Sequence, residues 1–185
     1  MSKVKQLLEN YADYVHVPWN ESAAAPQRVI FCVYGERDER PLRNAIGEFE
    51  LATLDAGYSW RLFDLTNSFE QWMVSLKYAE TYFTKPDLFP TILPKYKAYL
   101  VQAFSEFVEQ GNNDTRTAVG VMGVGTLFGF LKVKEVVDAF APMVPGRLVV
   151  FFPGSHEGNN YRLLDAYDGW NYLAIPVSAD TRRKD

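Results

Sequence analysis

The chain has 185 residues, 48% of them hydrophobic and 15% aromatic, with 23 acidic side chains against 19 Lys and Arg for a net charge of −4. A chain of this length buries about 70% of its unfolded surface in one core, and this apolar content excludes a disordered polypeptide. The acidic balance argues against autonomous nucleic-acid binding, which needs a basic surplus. The single cysteine, Cys32, excludes an internal disulfide or a multi-cysteine zinc site.

In chain order, Val4, Leu7, Leu8, Tyr11 and Val15 recur at helical spacing and predict a helix over 2–15, capped by Ser2. The opening Met1-Ser2-Lys3-Val4-Lys5-Gln6 reads as the start of that helix and not as a signal peptide. No apolar run approaches the ~20 residues of a membrane span, so a cytoplasmic location is expected. A loop follows from Pro18 to Pro26. Residues 28–34 form the first strand, almost wholly apolar as in a parallel sheet covered on both faces, and Cys32 is expected within it as a small buried hydrophobe. Gly35 ends it, Asp38 is placed to cap the next helix, and Leu42, Ala45, Ile46, Phe49 and Ala52 mark that helix's buried face before Gly57 stops it. Tyr58–Leu65 reads as the second strand, completing a βαβ unit.

Residues 68–84 are predicted helical and are ended by Lys85-Pro86, and a stronger helix is predicted over 91–110. A third strand over 116–122, a glycine-rich turn, a short helix over 132–141 and a fourth strand, Arg147–Phe152, come next. Pro153-Gly154 is expected to close the fourth strand, a fifth is expected near 171–177, and the tail 181–185 is polar. Alternating strands and helices predict an α/β fold, a three-layer Rossmann-like sandwich with a mostly parallel sheet of about five strands. One domain is expected over 1–185: an N-terminal helix and loop to residue 25, a sheet body over 26–178, and a tail.

Ligands of open α/β sheets gather beyond the carboxyl ends of the strands, so the candidate positions are Gly123 and Gly125 after the third strand and Pro153, Gly154, His156 and Glu157 after the fourth. The turn Gly123-Val124-Gly125-Thr126-Leu127-Phe128-Gly129 resembles a phosphate loop only superficially. A P-loop ends in Lys and Ser or Thr, whereas Phe130-Leu131 follow Gly129, and the third glycine of a dinucleotide fingerprint would fall on Phe128. A structural turn is the plainer reading. His156 is expected in an exposed glycine-rich loop with no nucleophile beside it, and His16 lies far away in sequence. Asp64 alone does not make a magnesium site, and Asp168-Gly169 reads as a turn. Arg37, Arg40 and Arg43 interleave with Glu36, Asp38 and Glu39 as a salt-bridged, solvated face. No metal, cofactor or catalytic residue is assigned. Tyr78, Tyr82, Phe83, Phe89, Tyr96 and Tyr99 crowd the middle of the chain, and they would serve either as core or as a docking surface.

The glycine turn at 123–128, the run Pro145-Gly146-Arg147-Leu148-Val149-Val150-Phe151-Phe152-Pro153-Gly154, then Glu157-Gly158, Tyr161-Arg162-Leu163-Leu164 and Gly169–Val177 carry a more specific pattern. Together they resemble the BrxB family, the small non-catalytic component of BREX bacteriophage-defence systems. The 28–34 strand and the Asp64-Leu65 strand end fit the same family, while Leu173 and Ala174 stand where many relatives carry tyrosine and arginine. The resemblance implies a cytoplasmic, non-enzymatic subunit that assembles with other BREX proteins: an ATPase, a DNA methyltransferase, a Lon-like protein and the phosphatase-like PglZ, the partner expected first. A homodimer is left open by the sequence. Two other readings stay beside the adaptor: a nucleotide-binding or hydrolysing domain with an atypical glycine turn, and a DNA-contacting accessory subunit.

Overall fold

A computed structural model of the chain describes residues 2–164, 166–169 and 173–181. In order the elements are α1 (Lys3–Val15), β1 (Val29–Tyr34), α2 (Glu39–Asp55), β2 (Ser59–Asp64), α3 (Ser68–Ser75), α4 (Ala79–Thr84), α5 (Phe89–Glu109), β3 (Thr117–Met122), α6 (Val133–Phe140), β4 (Arg147–Glu157), β5 (Asn160–Leu163), β6 (Ala166–Gly169) and β7 (Ile175–Ser178). Five strands run parallel in the order β2-β3-β4-β1-β7, and β5 and β6 extend the sheet from the far half of β4. The registers are Val29 with Leu148 between β1 and β4, Ala118 with Arg147 between β3 and β4, and Ser59 with Thr117 between β2 and β3. The expected α/β sandwich with a mostly parallel sheet is therefore the observed one.

Strand alternation sorts the side chains into two layers. Val29, Phe31 and Val33 of β1 and Leu148, Val150 and Phe152 of β4 face α3, α5 and α6, where Phe104 stacks on Phe140 at 3.9 Å between centroids. Ile30, Cys32 and Tyr34 face α1 and α2 with Val149 and Phe151. Cys32 is fully buried, and burial pushes its thiol well above the usual range. The first helix carries the expected cap, Lys5 N–H donating to Ser2 Oγ at 3.2 Å, and Gly57 ends α2 with φ +83°, a left-handed value that glycine tolerates.

Four expectations are corrected. The helix over 68–84 is two helices, broken where Leu76 turns extended (ψ 132°). The next helix, expected from about 91, already starts at Phe89, because Pro90 fits a first turn that needs no N–H, and Pro94 lies inside it. Pro153-Gly154 does not close the fourth strand: β4 runs on to Glu157 and folds back through β5, and Asp168-Gly169 belongs to strand β6, not to a turn. The fifth parallel strand is Ile175–Ser178, and residues 171 and 172 of the predicted stretch, like the tail from 182, lie outside the described residues.

Burial also sets a pH response. The phenols of Tyr96, bonded to Ser68 Oγ at 2.8 Å, and of Tyr161 are pushed up to about 12 from 10.0, chiefly by loss of solvent. A raised phenol pKa supports folding fully below the unfolded value, and that support is lost as pH rises toward the folded value. Urea midpoints are therefore expected to hold up to pH about 10 and to fall between pH about 10 and 12. Tyr96→Phe should flatten that fall, and a wild-type midpoint constant across the window would contradict it.

Candidate functional site

Two clefts open at the carboxyl ends of the parallel strands, one on each side of the β1 end. The smaller, about 290 Å³, is bounded by the turn after β1, the turn after β3, Thr66, Pro153 and Leu164. It brings together Gly123, Gly125 and Pro153, three of the positions expected from sequence. The larger, about 570 Å³, takes Gly154 and His156 together with Tyr34, Asp38 and residues following β7. Glu157 lines neither cleft.

A polar chain crosses the floor of the smaller cleft. Tyr34 OH donates a short hydrogen bond to Glu39, and Arg43 Nε donates to the same carboxylate at 2.7 Å. Arg43 Nη1 reaches Thr66 Oγ1 at 2.9 Å, and Thr66 donates its amide and hydroxyl to Asp64. The nearby Glu39 and burial both push the Tyr34 phenol far up, burial more strongly. Of the salt-bridged face expected from Arg37, Arg40, Arg43, Glu36, Asp38 and Glu39, the structure shows the pair Arg43–Glu39, and it belongs to a chain that ties the ends of β1 and β2 together. Asp64 is turned into its own loop by Thr66. Among the described residues no group of three or more His, Cys, Asp or Glu side chains is placed to hold a metal ion; Asp165 lies outside them.

The glycine turn has a structural reason for its first glycine. Gly123 adopts φ +78°, and a Cβ there would stand 2.5 Å from the Thr66 amide nitrogen. Gly125 is not so constrained, since its Cβ would meet only Pro153 Cγ at 3.5 Å. The turn amides of Thr126 and Phe128 donate to Gly123 and Gly125 carbonyls. A phosphate loop delivers its anion to the helix that follows, but here the first amides of α6, those of Val133 and Lys134, already bind the Asp168 carboxylate at 2.7 and 3.0 Å. Those helix-terminal donors are occupied by a side chain of the same protein.

His156 is not in a loop. It sits in β4 opposite Tyr161, stacks on that ring at 5.6 Å, and its Nδ1 lies 3.4 Å from Gly158 O. Leu164, at the cleft wall, holds φ +55°, a left-handed conformation rare for a branched side chain, and its amide donates to Pro153 O at 2.8 Å. This backbone position, between β5 and β6, has no sequence signal.

The crowded aromatics of the middle segment divide. Tyr96 is fully buried, and Phe89 and Tyr99 pack partly against the core. Tyr78 and Phe83 are 60% and 63% exposed, and Val74, just before them, is 85% exposed. No residue of α4 is fully buried, so the core does not account for the apolar side chains it carries outward.

Comparison with known proteins finds no family model, no curated protein and no solved structure that matches this chain. Among the described residues no helix is long and apolar enough to cross a membrane.

Proposed function

We propose that the protein is a cytoplasmic, non-catalytic assembly subunit of a BREX-type phage-defence system, docking a protein partner through the segment 74–88. The observation that carries this reading is the outward display of Val74, at the end of α3, and of Tyr78 and Phe83 beside and on α4, a helix with no buried residue. Aromatic side chains exposed in this way are the anchors that interface cores use. The sequence pattern at 123–177 supplies the biological setting, and among the BREX proteins PglZ is the partner proposed first. The carboxyl-end polar chain, with donors and acceptors matched within the protein, fits a framework role for that end of the sheet.

The test is co-purification of the tagged chain with the other products of its operon. A stoichiometric partner on a sizing column is expected. Joint replacement Tyr78→Ser and Phe83→Ser, both surface changes, should weaken that complex about 30-fold or more, since one buried tyrosine anchor alone is worth about 2 kcal/mol. Elution of the wild-type chain alone, together with saturable ATP binding, would sink the adaptor reading and favour a nucleotide-binding one.

A further inference from the structure

At the opposite, amino-terminal end of the sheet lies a cavity of about 500 Å³ that the proposed docking role does not use. Its walls include Tyr14, Val17, Trp19, Leu173 and Ile175, with Asn20 and Gln27 at the polar side. Among the described residues one charged side chain lines it, Arg147, the first residue of β4, and it is only 5% exposed. No acidic residue is among the described lining residues.

Among the described residues Arg147 has no counter-ion. One Nη1 hydrogen bond goes to Gly146 O and one Nη2 bond to Asn20 O, both main-chain carbonyls. The guanidinium lies 5.0 Å over the Trp19 ring, and that ring stacks on Tyr58 at 3.6 Å and 1°. The ion pairs among the described residues join Arg43 to Glu39, Lys97 to Glu135 and Lys134 to Asp138; Arg147 takes part in none. Its Nε and the Nε1 of Trp19 are both buried with no acceptor among the described residues. Burial, with some help from Arg28, lowers the Arg147 pKa from 12.5, yet a guanidinium keeps its charge at any physiological pH. A buried, uncompensated cation and unmet donors are costly unless something supplies the missing acceptor.

We propose that this cavity binds a small carboxylate carried on an apolar body, with the carboxylate at the Arg147 guanidinium and the body against the Tyr14, Leu173 and Ile175 wall. The planar fork of an arginine matches a carboxylate in geometry. One inward cation among apolar walls suits a monoanion, because a phosphate dianion would leave a second charge unbalanced. The volume falls in the range of small-molecule pockets, about 300–1,000 Å³.

The test is calorimetric titration of the full chain with benzoate, phenylacetate and indole-3-acetate, each beside its neutral primary amide. At least one carboxylate is expected to bind saturably and about tenfold or more tighter than its amide, the ratio one charge-assisted hydrogen bond supports. Arg147→Gln should abolish the preference, but it also loosens the loop that carries Trp19. Gln27→Glu is the cleaner variant: Gln27 is exposed and its Oε1 accepts from Ala24 N–H at 3.2 Å, an acceptor that glutamate retains. With its melting temperature unchanged, this variant should lose carboxylate binding about tenfold by placing an acid at the cavity wall. No saturable binding by any carboxylate, equal binding of acids and amides, or a preference that survives Gln27→Glu would each overturn the proposal.

Discussion

Gly154→Ala is expected to destabilise the protein by about 3 kcal/mol, lowering its melting temperature by about 6–12 °C. Gly154 is where β4 leaves the parallel sheet and pairs with Leu163 of β5. A Cβ at this position would stand 1.9 Å from the carbonyl oxygen of Arg162 and 3.0 Å from its carbon, both main-chain atoms that no rotamer change can move. The strands must separate, and separation withdraws Tyr161 and Leu163 from their places beside Phe31 and Phe152. Gly125→Ala is the matched control, since its Cβ would make only an ordinary contact with Pro153; it should stay within about 1 kcal/mol of wild type. Thermal unfolding followed by circular dichroism separates the two. Equal melting of both variants would show that the close approach of β4 and β5 is not a constraint.

The second large effect is expected at Asp168, a buried acid on β6 whose carboxylate caps α6 from 35 residues away in sequence. The residue preceding α6, Lys132, has no acceptor in its side chain, so the helix has no local cap. Asp168→Ala leaves the amides of Val133 and Lys134 without their acceptor and should cost about 2 kcal/mol, a fall of about 4–8 °C. Asp168→Asn keeps a side-chain oxygen and should lose less than half of that. Because the cap also ties hairpin to helix, Asp168→Ala should increase hydrogen exchange in the first turn of α6 and in β6 together. Identical melting of the alanine and asparagine variants would refute the capping role.

These two residues also show what the sequence could and could not reveal. The parallel strands announce themselves because burial on both faces forces continuous apolar runs such as Val29–Tyr34 and Leu148–Phe152. Helices α1, α2 and α5 are legible from their 3.6-residue spacing. Pro153-Gly154 was misleading because both residues ordinarily terminate strands; here Pro153 pairs with Tyr34 in the parallel sheet and Gly154 allows a close backbone approach. With the strand cut short, His156 and Glu157 look like loop residues and Asp168-Gly169 looks like a turn. The break at Leu76 carries neither glycine nor proline. At the candidate site, strand ends located Gly123, Gly125, Pro153, Gly154 and His156 near clefts, because topology places such positions there. The Glu39–Arg43–Thr66–Asp64 chain and the Arg147–Trp19–Tyr58 stack join residues distant in sequence, and no local pattern encodes them.

The order β2-β3-β4-β1-β7 has a consequence for how the protein is made. β1 is among the first elements to be synthesised, yet both its neighbours, β4 and β7, come after residue 146. Val29 and Leu148 are roughly 120 residues apart, and such long-range pairing is slow to form. While a ribosome translates the intervening chain, the apolar strand Val29–Tyr34 has neither of its neighbours to pair with. The nascent polypeptide therefore spends most of its synthesis exposed to aggregation, and chaperone capture during translation should matter more for its yield than the stability of the finished fold.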